Sequence, residues 1–253
     1  VQFIRWCTSG GYPTIVLCPA TVADCYTLTT RAFDLAEQFR CPVFVLTDKE
    51  TASAMDTVES QDLVPHPVRP RETAPLECTF APCDYPAPDA NVGMSPFGGP
   101  HLLRFTTSTH DERGYLTKDP TKVARLNQHL VAKVEQHRDE IESVRADMQP
   151  DAPVLAISYG ITARATSEAI AQARAQGHAI SGLTLLSLWP LPEAALQRAI
   201  ATAQRVVVAE LNTGLLKQEI ERFACDGAEI IGVNRLEGEL ITPQQILQAG
   251  GVL

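Results

Sequence analysis

The chain has 253 residues, a formal net charge of −9, 45% hydrophobic residues and 20% charged residues. That length suggests one to two domains, and the composition is that of an ordinary globular protein. The acidic balance argues against a nucleic-acid footprint and an anionic membrane surface, and no apolar run approaches the roughly 20 residues needed to span a bilayer.

The cysteines, Cys7, Cys18, Cys25, Cys41, Cys78, Cys83 and Cys225, are odd in number and contain no Cys-x-x-Cys pair. They read as reduced, mostly buried thiols of a cytoplasmic protein. Cys78 and Cys83 lie in a proline-rich segment with no further ligands in view, so the residues predict neither a metal site nor an iron–sulfur cluster within this chain.

In chain order, the apolar run Thr14–Leu17 predicts a strand and Thr21–Arg40 a helix. Thr21 followed by Asp24 resembles a capping box. Tyr26, Thr29, Phe33, Ala36 and Phe39 recur at helical spacing and are expected to form its packed face. Pro42–Thr47 predicts the next strand, so the front of the chain reads as a βαβ unit. A parallel sheet needs neighbours on both sides, so this unit is expected to lean on polypeptide supplied from elsewhere, as the end of a domain that starts before Val1.

From Val64 to Pro100 prolines interrupt any ladder or helix, giving an extended connection far longer than the usual loop. Phe80, Tyr85, Met94 and Phe97 favour wrapping over disorder. The polar stretch Arg104–Asp119, with Thr106 and Thr107, leads to a long helix capped by Asp119 with Pro120 at its first position. Its apolar stripe is read through Val123, Leu126, Leu130, Val134, His137, Ile141 and Val144, with His137 as a packed interface histidine.

Beyond Pro153 the pattern alternates. Strands are predicted at Val154–Ser158, Leu183–Leu188, Arg205–Glu210 and Ile230–Val233. Helices are predicted at Thr162–Gln176, after Pro192, from Gly214 to Ala224, and after Thr242 and Pro243. Strand–helix repetition of this kind means an α/β domain with a parallel sheet.

Several stretches together resemble the 2-oxoacid:ferredoxin oxidoreductases, most closely the alpha subunit of the 2-oxoglutarate type. They are Val1–Trp6, Thr8–Tyr12, Ala32–Glu37, Pro42–Lys49, Ser108–Tyr115 and the Glu-x-Asn-x-Gly run at Val208–Gly214. The resemblance implies an α/β fold: a partial thiamine-diphosphate pyrimidine-binding domain followed by a transketolase C-terminal-like parallel-sheet domain. It divides the chain into 1–55, the end of the pyrimidine-binding domain; 56–105, the wrapping connection; 106–150, the junction loop and long helix; and 151–253, the transketolase C-terminal-like domain.

The chemistry implied is oxidative decarboxylation of a 2-oxoacid on thiamine diphosphate, with coenzyme A taking the acyl group and ferredoxin the electrons. Thiamine diphosphate with Mg and an iron–sulfur cluster are expected in an assembled complex, with none bound by this chain alone. The implied partners are a beta subunit carrying those groups, the upstream remainder of alpha or a gamma domain, ferredoxin and coenzyme A. The groups that hold the aminopyrimidine and the substrate carboxylate are expected upstream of Val1, so the chain alone is expected to show no turnover. A pyruvate or branched-chain relative, or a non-catalytic subunit-docking module, remains open.

Asp48, Lys49 and Glu50 follow a strand directly, where ligands gather in open parallel sheets, or form a solvated turn with one ion pair. Thr8 and Ser9, before Gly10-Gly11, either present hydroxyls and N–H groups to an anion or only reverse the chain. His110 and Asp111, beside Glu112, are the catalytic candidates: a titratable histidine next to carboxylates on a loop, with capping of a junction as the alternative. Glu210 and Asn212 at a strand end face a cofactor, a subunit or coenzyme A, or cap the next helix. Arg164 and Lys217 are weaker candidates for coenzyme A phosphates.

Overall fold

The computed structural model describes residues 1–77, 79–104, 108–223 and 227–252. Cys78, Thr106, Thr107, Ala224 and Cys225, named above, lie outside the described residues. The chain opens with α1 (Gln2–Arg5), β1 (Ile15–Leu17), α2 (Val22–Phe39), β2 (Val43–Val45) and α3 (Lys49–Ser53). β1 and β2 pair in parallel with Ile15 opposite Val43, giving the βαβ unit read from the sequence.

Thr21 caps α2 by accepting the Asp24 N–H at 3.1 Å, and Arg40 ends it in a left-handed conformation. The face expected to pack is corrected. Tyr26 and Phe33 are exposed, whereas Leu28, Ala32, Leu35 and Phe39 form the buried stripe over β1. Both stripes are apolar at helical spacing, so periodicity alone does not choose between them.

The chain continues through α4 (Pro120–Glu135), α5 (Arg138–Ile141) and β3 (Val144–Asp147). Asp119 caps α4 through its Oδ1, which accepts the Thr121 N–H at 2.8 Å. The single long helix is corrected in two ways. It breaks at Gln136-His137, and Val144 lies in a strand. His137 does not sit in an apolar stripe; its ring nitrogens face Glu140 at 2.8 Å and Asp89 at 3.2 Å. Those two carboxylates raise its pKa.

The proline-rich connection wraps this chain's own helices. The Arg69 N–H donates to buried Asp34 on α2 at 2.7 Å, and Asn91 donates to the Gln38 carbonyl at 2.8 Å. On α4, Arg125 donates to Asp84 at 3.0 Å. His129 stacks on Tyr85 with ring centroids 3.4 Å apart, and its Nδ1 donates to the Pro88 carbonyl at 3.0 Å.

Burial, then the neighbouring Lys133, pushes the His129 pKa down to about 4. Between its ordinary value of 6.5 and about 4, the unfolded chain binds a proton that the folded chain does not. Stability present above pH 6.5 is therefore lost as pH falls through that window. We expect a loss of about 2–3 kcal/mol in urea unfolding between pH 7 and pH 4, from the size of that shift. The His129→Phe variant should lack this acid limb. A variant as acid-sensitive as the parent contradicts the assignment.

The remaining elements are β4 (Val154–Ser158), α6 (Thr162–Ala175), β5 (Ile180–Leu185), β6 (Ser187–Trp189), α7 (Glu193–Ile200), β7 (Arg205–Glu210), α8 (Leu215–Ile220), β8 (Glu229–Asn234) and α9 (Pro243–Gly250). α9 has the full capping box between Thr242 and Gln245. The large sheet runs β3-β5-β4-β7-β8, parallel except for β3, which pairs antiparallel with β5 at the edge.

The predicted strand Leu183–Leu188 is two strands. β5 stays in the large sheet, while β6 crosses to the front and pairs antiparallel with β1, so the small sheet runs β2-β1-β6. The expectation that the front strands lean on polypeptide supplied from elsewhere is corrected at β1 by this strand exchange. β1 is completed from within the chain, leaving the outer edge of β2 unpaired among the described residues. One core then spans both sheets: Val16 and Cys18 pack with Leu155, Leu183, Leu188 and Val206. α1 docks across the same seam, Gln2 donating to Glu219 on α8 at 2.9 Å and Arg5 stacking between Trp6 and Trp189. No helix of the described residues is long and apolar enough to cross a membrane.

Candidate functional site

The two sheets meet through the residues just past their strand ends. Leaving β1, the chain reaches Cys18; leaving β2, Asp48; leaving β4, Tyr159 and Gly160; leaving β7, Asn212 two residues after Glu210. Asp48 is the link. Its Oδ1 accepts the Thr51 N–H at 2.6 Å, capping α3, and its Oδ2 accepts the Ile161 N–H at 2.8 Å, at the start of α6. Gly160 makes that approach possible: its φ is +58°, and a Cβ there would lie 2.7 Å from Asp48 Oδ2. The Cys18 thiol packs against the same turn, and burial, then Asp48, pushes its pKa up to about 12. The hydroxyls of Ser158 and Thr51 are buried with no hydrogen-bond partner among the described residues.

Glu210 is 1% exposed. Its carboxylate accepts the Leu216 N–H at 3.0 Å, the Lys217 N–H at 2.9 Å and the Tyr159 hydroxyl at 3.1 Å. Asn212 Oδ1 accepts the Gly214 and Leu215 N–H groups at 3.0 and 2.9 Å, and its Nδ2 donates to the Tyr159 hydroxyl at 2.6 Å. Four successive backbone donors opening α8 are thus satisfied by two side chains of the Glu-x-Asn-x-Gly run. A carboxylate at a helix N-terminus also gains from the helix dipole. Burial, then Glu210, raises the Tyr159 pKa, so the phenol stays protonated and donating.

Other sequence-predicted residues lie in local structure. Thr8 donates its hydroxyl to the Tyr12 carbonyl at 2.9 Å, Gly10 and Gly11 take positive φ, and Ser9 is exposed, as a chain reversal requires. Lys49 and Glu50 face solvent with 3.9 Å between their charges. Asp111 accepts the N–H groups of Arg113 and Tyr115, holding a turn beside the short bridge between His110 and Leu116. Glu112 pairs with Lys122 at 2.8 Å.

The structure therefore joins Asp48, Glu210 and Asn212 through Tyr159 and Gly160. Tyr159, Gly160 and Cys18 were missed in the sequence, where the glycine two residues past a buried strand was the available signal. Among the described residues, no three His, Cys, Asp or Glu side chains are grouped to hold a metal ion. The joined carboxylates are already engaged by backbone donors. A magnesium–diphosphate group does not fit this donor set.

Residues 1–128 match the family described as pyruvate flavodoxin/ferredoxin oxidoreductase, thiamine-diphosphate-binding, and residues 152–246 match pyruvate:ferredoxin oxidoreductase core domain II. The chain is 34% identical over 245 residues to the 2-oxoglutarate synthase subunit KorA of Methanothermobacter thermautotrophicus, covering 96% of this chain and 64% of that protein. It is 27% identical over 248 residues to the ketoisovalerate oxidoreductase subunit VorB of the same organism, covering 98% and 62%. The chain thus spans somewhat less than two thirds of the length of these curated relatives. In fold it resembles the 2-oxoglutarate:ferredoxin oxidoreductase of Magnetococcus marinus, with a TM-score of 0.83 at 23% identity, over 97% of this chain and 43% of that one. The α/β elements at the front and the five-stranded sheet behind them are accordingly two parts of one architecture, and the chain belongs to the pyruvate flavodoxin/ferredoxin oxidoreductase family through its thiamine-diphosphate-binding domain.

Proposed function

We propose that the chain is the alpha-subunit part of a 2-oxoglutarate:ferredoxin oxidoreductase, active when assembled with partner chains. The observation that carries this reading is the family match across the front half, together with closer identity to a 2-oxoglutarate synthase subunit than to a ketoisovalerate oxidoreductase subunit. The beta subunit supplies thiamine diphosphate with its Mg and the iron–sulfur cluster; coenzyme A and ferredoxin are the further partners. Thiamine diphosphate, when bound by the complex, supplies the electron sink for decarboxylation. The free thiols Cys7, Cys18, Cys25, Cys41 and Cys83 support a reducing, cytoplasmic setting.

In this reading the chain's own residues position and cover. Asp48 is a positioning residue, because both of its oxygens are engaged by backbone N–H groups and it fixes one unit against the other. Lys49, 88% exposed beyond the end of β2, offers a cation to an anionic group presented by a partner. Thr8, Ser9 and Glu50 complete the rim, and Glu210 with Asn212 fixes the α8 face for a subunit or coenzyme A. His110 and Asp111 belong to the covering loop, with Asp111 shaping the turn and His110 carrying the titratable ring.

The assembled enzyme tests the loop directly. His110→Ala is expected to raise the KM for 2-oxoglutarate by about threefold to tenfold with a smaller change in kcat, the pattern of lost substrate binding. Asp111→Ala should do the same and also loosen the turn, seen as faster proteolysis near Arg113. Steady-state constants equal to the parent's for both variants remove the loop from the site.

A further inference from the structure

One turn of the wrapping connection is held by two histidines. It runs from Ala87 to Ala90, whose N–H donates to the Ala87 carbonyl at 3.2 Å. His129, on α4, donates from Nδ1 to the Pro88 carbonyl at 3.0 Å. His137, at the break between α4 and α5, meets Asp89 through Nε2 at 3.2 Å and Glu140 through Nδ1 at 2.8 Å. Adjacent residues of the turn, Pro88 and Asp89, are therefore tied to different rings.

The two ties answer differently to protons. A carbonyl needs one N–H, which a neutral imidazole supplies. The His129 pKa, pushed down to about 4 by burial, keeps that ring neutral through the neutral range. Two carboxylates need two N–H groups, and only an imidazolium carries both. On losing a proton the His137 ring keeps one. Glu140 is the nearer partner and lies three residues along on α5, so the neutral ring keeps that bond and turns the lone pair of Nε2 toward Asp89. Glu140 also stays ionised, its pKa lowered to about 2 by bonds from Gln38 and then His137. Asp89 has no other donor among the described residues.

The other charges near this ring are spent elsewhere. On the connection, Arg71 pairs with Glu37 of α2, and Arg69 pairs with Asp34 and Glu140, while Glu72 is exposed. From α2, Arg40 donates to the Glu37 carbonyl. On α4 and α5, Lys133 donates to the Arg40 carbonyl and Arg138 pairs with Glu135 and Glu142. None of these cations is placed to take over Asp89.

We propose that His137 is a pH-operated latch. As an imidazolium it holds Asp89 against α5, and as a neutral ring it releases the 89–91 stretch to swing about the Pro88 anchor at His129. That stretch forms part of the wall of a cavity of about 320 Å³, so release opens the carboxyl end of α2. Asn91 still donates to the Gln38 carbonyl at 2.8 Å, so the latch shifts a balance between closed and open and does not unfold the connection. The sign follows from the raised pKa of His137, whose first cause is Glu140. The closed form is complete below pH 6.5 and is lost as pH rises through the raised value. None of this rests on the function proposed above.

The test is amide hydrogen exchange of the complete chain, with the subunits that accompany it, from pH 5.5 to pH 9. Rates are divided by the intrinsic rate at each pH, and peptides covering 87–94 are read against those covering 64–72, where His66 meets Asp34. Protection at 87–94 should fall about fivefold in a one-proton step, the upper end for a half-exposed charge pair, with its midpoint above 6.5. His137→Gln removes the titrating ring and should remove the step. Asp89→Asn should also remove it while keeping the protection, because an amide accepts from the imidazolium and donates to the neutral ring. If His137→Gln fails to fold, Asp89→Asn decides. A change under about twofold in the parent, a midpoint below 6.5, or a step that persists in either variant overturns the latch.

Discussion

Asp48→Ala is expected to destabilise the folded chain by about 2–3 kcal/mol, from a lost helix cap plus an orphaned backbone donor. The cap is the 2.6 Å bond from the Thr51 N–H, and the donor is the Ile161 N–H at 2.8 Å. Asp48→Asn should cost at least half as much, since an amide has one acceptor oxygen where the carboxylate uses two. Gly160→Ala attacks the same joint from the other side, adding a Cβ 2.7 Å from Asp48 Oδ2 at a φ of +58°. It should be no milder than Asp48→Ala, and the double variant should cost less than the sum, because both break one contact. Urea unfolding measures these differences. A second readout is local: Asp48 helps raise the Cys18 pKa, so alkylation of Cys18 should accelerate in Asp48→Ala. Stability within about 0.5 kcal/mol of the parent would show that the strand-end bonds contribute little, the range of an ordinary surface substitution.

Glu210→Ala should be more severe, about 3–4 kcal/mol, because it strands buried donors at a helix N-terminus and the Tyr159 hydroxyl together. Leu216, Lys217 and Tyr159 all donate to this carboxylate, and α8 has no side-chain cap from Gly214. Glu210→Gln keeps the shape and one acceptor oxygen but turns an NH2 toward backbone donors, and should cost about 1–2 kcal/mol. The effect should also travel. α1 is held to α8 by Gln2 and by the 2.6 Å pair between Arg5 and Glu219, so loosening α8 should release α1. Trypsin cleavage after Arg5, slow in the parent, should then become fast. Unchanged cleavage and unfolding within about 1 kcal/mol of the parent would contradict the capping account.

Much of this architecture was legible in the residues. The caps at Thr21, Asp119 and Thr242 stand where the sequence puts them, because a hydroxyl or carboxylate ahead of an apolar run has a local reason to be there. β7 runs from Arg205 to Glu210 as read, bounded by polar residues on both sides. The failures were non-local. Ile180 to Trp189 mixes apolar residues with small Ser, Gly and Thr throughout, with no proline or charge, and nothing in it marks the point near Leu186 where the chain leaves one sheet for the other. Gln136 and His137 are tolerable helix residues, so the break after α4 has no punctuation in the sequence. His129 is polar yet buried because the connection folds back over α4, a contact that spans about 40 residues of chain, and Lys133 is buried where it donates to the Arg40 carbonyl at the end of α2.

The candidate site was legible in part for the same reason. Glu210, Asn212 and Asp48 sit at strand ends, and strand ends are visible in a sequence. Their shared partner, the turn at Tyr159 and Gly160, comes from a different strand, so its role appears only once the strands are ordered side by side. The loop at His110 offers a bridge and a tight turn, which fit a structural junction as well as a cover, and so its catalytic share is a proposal for kinetics.

Purification of the chain from its natural source, followed by assay of the recovered complex, tests the central claim most directly. The account predicts co-purification with a chain carrying thiamine diphosphate and an iron–sulfur cluster, and coenzyme A-dependent reduction of ferredoxin that is faster with 2-oxoglutarate than with pyruvate or ketoisovalerate. The isolated chain should give no turnover. Turnover by the isolated chain, or a complex that prefers either of the other two acids, would contradict it.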